Sequence, residues 1–144
     1  MKKHGILNSD IAKVLADLGH TDKVVIGDAG LPIPEGVKKI DLSLRLHDPA
    51  FQTILELLME EMEMEKAILA EEIKEQNPAQ FERTMGRMAG VDVAFVTHEA
   101  FKEMTGDAKA IIRTGEATPY SNIILQSGVL LVVPKILWKL PKIT

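Results

Sequence analysis

Three groups of polar side chains follow apolar runs that have the character of β-strands. Asp28 comes after "VVIG", His98 after "VAFVT", and Tyr120, Ser121 and Asn122 form a turn after "AKAIIR". In open α/β sheets, ligands bind beyond the carboxyl ends of the strands. Ordinary turn chemistry explains any one of these groups equally well, but their common position favours a binding site to which all three contribute.

His20 stands apart from these groups, because it follows the first predicted helix and precedes the first predicted strand. Eight residues of extended chain separate it from Asp28, which is about 20 Å or more at roughly 3.3 Å per residue. If both residues serve one site, either the strand is shorter than it looks or the site is shared between subunits. A histidine favoured by the helix dipole is an equally good explanation, and His4 and His47 are expected to be structural or surface residues.

The residue types limit the chemistry that such a site can perform. The sequence has no cysteine, no nucleophile elbow and no H-E-x-x-H motif, and "GDAG" lacks the spacing of a phosphate-binding loop. We interpret "EEMEMEK" as a solvated helix face and not as a metal site, because its carboxylates interleave with methionines. What remains is histidine as a proton donor and acceptor, one carboxylate, and Tyr and Asn groups that suit a polyhydroxylated ligand. This set favours proton transfer on a sugar, with no metal or cofactor.

The composition excludes several other classes of protein. A chain of 144 residues without cysteine is expected to form one cytoplasmic domain. Its net charge of -4 and low aromatic content argue against nucleic acid as a partner. The opening "MKKHGILNSD" lacks the apolar core of a signal peptide, so we expect it to be mature protein, and polar residues interrupt the apolar run from Ile123 to Trp138, which argues against a membrane span.

Alternating helical and strand patterns predict a three-layer α/β/α domain with a central mixed sheet. Helices are predicted in "NSDIAKVLADLGH", between Asp48 and Met62, in "NPAQFERTMGRM" and in "HEAFKEMTG", with Asp48 and Pro49 as the cap and first turn of the second. Strands are predicted in "KVVIGDAG", "VKKIDLSL", "KAILAEE", "VDVAFVT", "AKAIIR" and "NIILQSGVLLVV".

Long stretches of the chain resemble the ribose/fucose mutarotase family. The matching segments are "MKKHGILNSDIAKVLADLGHTDKVVIGDAGLPIP", "IDLSL" and "THEAFKEMTGDAKAIIRTGEATPYSNIILQSGVL". The resemblance implies D-ribose pyranase activity, which interconverts the pyranose and furanose forms of D-ribose without a cofactor. It also implies a ring-shaped homo-oligomer, an octamer or decamer, with sites at subunit contacts, which would remove the distance problem between His20 and Asp28.

The same resemblance implies a role for each candidate residue. "LGHTD" supplies His20 as the catalytic proton donor, and substrate contacts come from Asp28 in "GDAG", His98 in "THEAF", and Tyr120, Ser121 and Asn122 in "PYSN". The family turn is commonly Tyr-Ala-Asn. A contact through the backbone would survive the change to Ser121, whereas a new bond from its hydroxyl could alter the sugar preference.

The resemblance covers residues 1–131, which we predict to be a single domain, whereas residues 132–144 form an apolar C-terminal extension of unknown role outside it. Two alternatives remain open. One is an L-fucose-type mutarotase that exchanges anomers, and the other is a sugar-binding module without catalysis, which would have no need of His20.

Overall fold

A six-stranded mixed sheet forms the centre of the fold in the computed structural model, which describes residues 1–130. Its strands are β1 (Lys23–Gly27), β2 (Lys38–Asp41), β3 (Met64–Ala70), β4 (Asp92–Val96), β5 (Ala110–Arg113) and β6 (Ile123–Ser127). Their spatial order is β2-β5-β1-β6-β3-β4. Only β6 runs antiparallel to its neighbours, so the other five strands of the described chain end at the same edge of the sheet.

Five α-helices and one 3-10 helix surround the sheet within the described residues. They are α1 (Ser9–Asp17), α2 (Phe51–Glu61), α3 (Ile73–Gln76), α4 (Pro78–Met85), α5 (His98–Met104) and the 3-10 helix Thr105–Asp107. Local side chains cap three of the α-helices, because Asn8, Asn77 and Thr97 each accept a hydrogen bond from a backbone N–H in the first turn. None of the helices in residues 1–130 is both long and apolar enough to cross a membrane.

The sheet has a hydrophobic cluster on each face, as the pleat requires. Val24 and Ile26 of β1 point into the larger cluster, which packs against α1 and α2, whereas Val25 between them points into a smaller cluster with Phe101 of α5. Both faces are therefore covered, and the predicted three-layer α/β/α architecture is confirmed.

The start of α2 differs from the prediction, which placed Asp48 and Pro49 at its cap and first turn. The helix begins at Phe51, and the Ala50 side chain makes no capping hydrogen bond. Instead, the Phe51 N–H donates to Glu116 Oε1 at 3.0 Å. A side chain distant in sequence therefore supplies the cap, which no local pattern could indicate.

Two further boundaries also shifted. The stretch "EEMEMEK" is not one helix face, because α2 ends at Glu61 and β3 begins at Met64. The last strand ends at Ser127, earlier than predicted. The predicted extension 132–144 lies outside the described residues.

Candidate active site

A cleft of about 270 Å³ opens at the edge where the parallel strands end, and three predicted polar groups meet there. It is lined by Asp28, Gly30, Leu31, Pro32, His98, Pro119, Tyr120 and Asn122. Asp28 follows β1, His98 begins α5 after β4, and Asn122 directly precedes the antiparallel strand β6. The direction of the strands thus brings together residues that are far apart in sequence.

Asp28 and Asn122 hold each other in place by reciprocal hydrogen bonds. The Asp28 N–H donates to Asn122 Oδ1 at 2.8 Å, and Asn122 Nδ2 donates to Asp28 Oδ2 at 3.2 Å. The other carboxylate oxygen, Oδ1, accepts from the Gly30 N–H at 3.0 Å. Burial raises the pKa of Asp28 above its ordinary value, and these hydrogen bonds oppose the shift without cancelling it. Folding therefore favours the neutral form of Asp28. The stability that this group contributes is present at low pH and is lost as the pH rises through its pKa in the folded protein.

His98 and Tyr120 form an aromatic wall of the cleft. Their ring centroids lie 5.1 Å apart with the rings nearly perpendicular, and the His98 ring also stacks on Phe101. Nδ1 of His98 is buried without a hydrogen-bond partner among the described residues.

Ser121 belongs to the same turn but does not line the cleft. Its side chain is fully buried, and its hydroxyl lies 2.8 Å from Thr118 Oγ1 and 3.0 Å from Gln80 Nε2. The hydroxyl is therefore engaged within the protein. Of the two routes considered for Ser121, the position of the hydroxyl favours contact with a ligand through the backbone.

His20 lies at the opposite edge of the sheet from the cleft. It sits in the turn before β1, whose five residues span about 16 Å at roughly 3.3 Å each. The strand is thus not short enough to bring His20 beside Asp28 within one chain. Its imidazole does not bind the end of α1 but contacts Glu65, with 2.7 Å between Nε2 and Oε1, and its side chain is 53% exposed.

Sequence reasoning missed the partners of His20. Gln126 Nε2 donates to Glu65 Oε2 at 2.7 Å, so Glu65 of β3 bridges the imidazole and β6. The hydrogen bond from Gln126, followed by that from His20, holds the pKa of Glu65 below its ordinary value. No spacing rule could have found this group, because three separate segments supply it and Glu65 lies in a stretch that we had interpreted as helical.

The chain belongs to the RbsD / FucU transport protein family, whose model matches residues 1–130. Within that family, the D-ribose pyranase of Streptococcus uberis is 62% identical over 130 residues, which cover 90% of this chain and 98% of that protein. The D-ribose pyranase of Bacillus subtilis is 58% identical over 130 residues, which cover 90% of this chain and 99% of that protein. The predicted family resemblance is confirmed.

Two solved structures agree with the fold. Bacillus subtilis RbsD complexed with D-ribose has a TM-score of 0.89 and 58% identity, covering 91% of this chain and 100% of that one. The fucose mutarotase from Streptococcus pneumoniae in complex with L-fucose has a TM-score of 0.71 and 25% identity, covering 90% of this chain and 100% of that one. The ribose-bound relative is thus the more similar of the two.

Proposed function

We propose that this protein acts as a D-ribose pyranase, an isomerase that interconverts the pyranose and furanose forms of D-ribose. The observation that carries the proposal is the cleft in which Asp28, His98, Tyr120 and Asn122 converge. It occurs in a chain that is 58% identical to a protein solved with D-ribose bound. We propose these four residues, together with the backbone of Ser121, as the substrate contacts.

The reaction breaks the bond between the anomeric carbon and the ring oxygen and forms a new bond from that carbon to another hydroxyl oxygen, and the protein needs only to move protons for it. Ring opening needs a proton on the ring oxygen and the loss of one from the anomeric hydroxyl, which yields the open-chain aldehyde. Closure onto a different hydroxyl then gives the other ring size. No atom changes its oxidation state, so side chains that donate and accept protons suffice for the chemistry.

His20 is the proposed proton donor to the ring oxygen. The lowered pKa of Glu65 keeps its carboxylate ionised, and an ionised carboxylate only accepts hydrogen bonds. His20 Nε2 is therefore the donor in their hydrogen bond, which leaves Nδ1 as the nitrogen that gives and regains a proton. Glu65 would orient the ring and stabilise the imidazolium that this requires.

A second copy of the chain is proposed to bring His20 to the cleft. Within one chain, His20 and the cleft lie at opposite edges of the sheet. The His20 side chain is 53% exposed, so it is available to a neighbouring subunit. A ring-shaped homo-oligomer, an octamer or decamer, would place the His20 edge of one subunit against the cleft of the next. We propose the cytoplasm as its location, because a chain without cysteine suits a reducing compartment.

A second candidate function is anomer exchange on L-fucose. It is favoured by the fold shared with the fucose mutarotase of Streptococcus pneumoniae, at a TM-score of 0.71. The higher identity to D-ribose pyranases, 62% for that of Streptococcus uberis, favours ribose.

Magnetisation-exchange NMR on the free sugars tests the proposal. We expect the protein to accelerate exchange between the pyranose and furanose signals of D-ribose. Exchange between the two anomer signals of L-fucose should be accelerated less. Exchange that is accelerated on L-fucose alone would establish the second candidate. Ribose binding without acceleration of either sugar would indicate a binding module.

A further inference from the structure

We propose that Glu116 is a positioning residue whose ionised carboxylate fixes the sugar-binding turn, residues 118–122, to the start of α2. Glu116 does not line the cleft, and no spacing pattern pointed to it. The inference rests on the proposed function, because it assigns Glu116 an effect on ribose binding through Tyr120.

Glu116 connects three segments that meet behind the cleft. Its side chain is buried, with Oε1 accepting from the Phe51 N–H at 3.0 Å and Oε2 accepting from Thr118 Oγ1 at 2.8 Å. Its backbone carbonyl accepts from the N–H of Ala29, the residue after Asp28, at 2.9 Å. One residue thereby ties the Asp28 loop, the Tyr120 turn and the first turn of α2 together.

A series of hydrogen bonds runs from the Glu116 carboxylate into the turn. Which group donates in each bond is set by the amide donors at one end and the carboxylate acceptor at the other. Ser121 Oγ accepts from Gln80 Nε2 at 3.0 Å and from Asn77 Nδ2 at 3.4 Å, and it lies 2.8 Å from Thr118 Oγ1. The amide nitrogens only donate, so the Ser121 hydroxyl must donate to Thr118, and Thr118 must donate to Glu116.

The direction of this series of hydrogen bonds requires the carboxylate to be ionised. A proton on Oε2 would donate to Thr118 and turn the Thr118 hydroxyl toward Ser121, whose two lone pairs already accept from the amides. The Thr118 hydroxyl proton would then have no acceptor among these hydrogen bonds. Burial by itself raises the pKa of Glu116, but the hydrogen bonds from Phe51 and Thr118 outweigh it and hold that pKa below the ordinary value.

Tyr120 is the residue that this network affects. Its φ of 56° lies in the left-handed region, which an aromatic residue adopts only where its surroundings impose it. The flanking residues are both held, since Asn77 Nδ2 donates to the Pro119 carbonyl at 2.8 Å and the Ser121 hydroxyl lies in the series described above. Loss of the Glu116 or Thr118 link should release the turn and misplace the Tyr120 ring.

Two pairs of variants test the proposal. Thr118→Val removes the hydroxyl that joins Glu116 to Ser121, whereas Thr118→Ser keeps it. Glu116→Gln removes the charge, whereas Glu82→Gln makes the same change at an exposed position on α4. Each protein would be titrated with D-ribose. Each would also be labelled with fluorotyrosine, because the sequence contains one tyrosine and its fluorine NMR signal reports Tyr120 alone.

We expect Thr118→Val and Glu116→Gln to weaken ribose binding about tenfold, the scale of one hydrogen bond to a charged group. Both should shift or broaden the Tyr120 signal in the sugar-free protein, while Thr118→Ser and Glu82→Gln resemble the wild type. If Glu116→Gln does not fold, the threonine pair alone decides. An unchanged Tyr120 signal in Thr118→Val would overturn the proposal, whatever happens to affinity. Failure of the wild type to bind ribose would instead refute the proposed function, and the sugar-free signal would still report on the turn.

Discussion

Replacing His20 by alanine is expected to slow the catalysed exchange between ribose pyranose and furanose by about 10²- to 10⁴-fold, the usual contribution of a general acid. Ribose binding should persist, because the proposed contacts Asp28, His98, Tyr120 and Asn122 line the cleft and are unchanged in this variant. Magnetisation-exchange NMR measures the rate, and titration with ribose measures the affinity.

His4→Ala is the matched control for this variant. His4 is exposed and belongs neither to the cleft nor to the His20–Glu65 contact, so the loss of its imidazole should leave the exchange rate unchanged. Undiminished exchange in His20→Ala would refute the assigned proton donor. If His20→Ala loses both ribose binding and exchange, His20 is a contact that holds the sugar. The experiment would then not assign it the role of proton donor.

Replacing Asp28 by asparagine is expected to weaken ribose binding roughly tenfold to a hundredfold, which corresponds to about 1.5 to 3 kcal/mol for hydrogen bonds to a charged group. The variant keeps the size of the side chain but removes the charged acceptor, and it places an amide NH₂ against Asn122 Nδ2 or the Gly30 N–H. Titration of the folded variant with D-ribose measures the effect.

The pH dependence of binding separates the charge of Asp28 from its shape. Burial raises the pKa of Asp28 above its ordinary value of 3.8, so the fraction of ionised carboxylate falls at a higher pH than in an exposed aspartate. On acidification, wild-type affinity for ribose should therefore begin to fall at a higher pH than an exposed aspartate would cause. The affinity of Asp28→Asn should not change with pH. Asp107→Asn, at an exposed position, should retain the wild-type pH profile. A flat wild-type profile would contradict a role for the charged form.

The parts of the fold that the sequence predicted are those whose signals are local. Asn8 caps α1 through a local contact, because its side chain and the N–H that it binds are three residues apart. The meeting of Asp28, His98 and Asn122 was predictable for a related reason: parallel strands share an edge, so residues that follow them converge even when the pairing is unknown.

The parts that the sequence did not predict depend on contacts between distant segments. Glu116 caps α2 from 65 residues away, and Glu65 meets His20 across 45 residues. Charge and spacing offer no signal for such pairs, because the sheet order that brings them together is itself a product of folding. The position of Ser121 shows the same limit, since its hydroxyl faces the buried network and not the cleft where its neighbours in sequence lie.

The central claim is that His20 of one subunit serves the cleft of another. It is tested most directly by mixing two variants that are impaired in different parts of the site, at a ribose concentration too low to occupy the Asp28→Asn cleft. His20→Ala keeps an intact cleft, and Asp28→Asn keeps an intact His20. Co-expression in equal amounts should give mixed oligomers in which about a quarter of the sites combine both intact parts, if each site joins two subunits of a symmetric ring. The account predicts ribose exchange at about that fraction of the wild-type rate. Exchange no higher than in either variant alone, in oligomers shown by mass to be mixed, would contradict it.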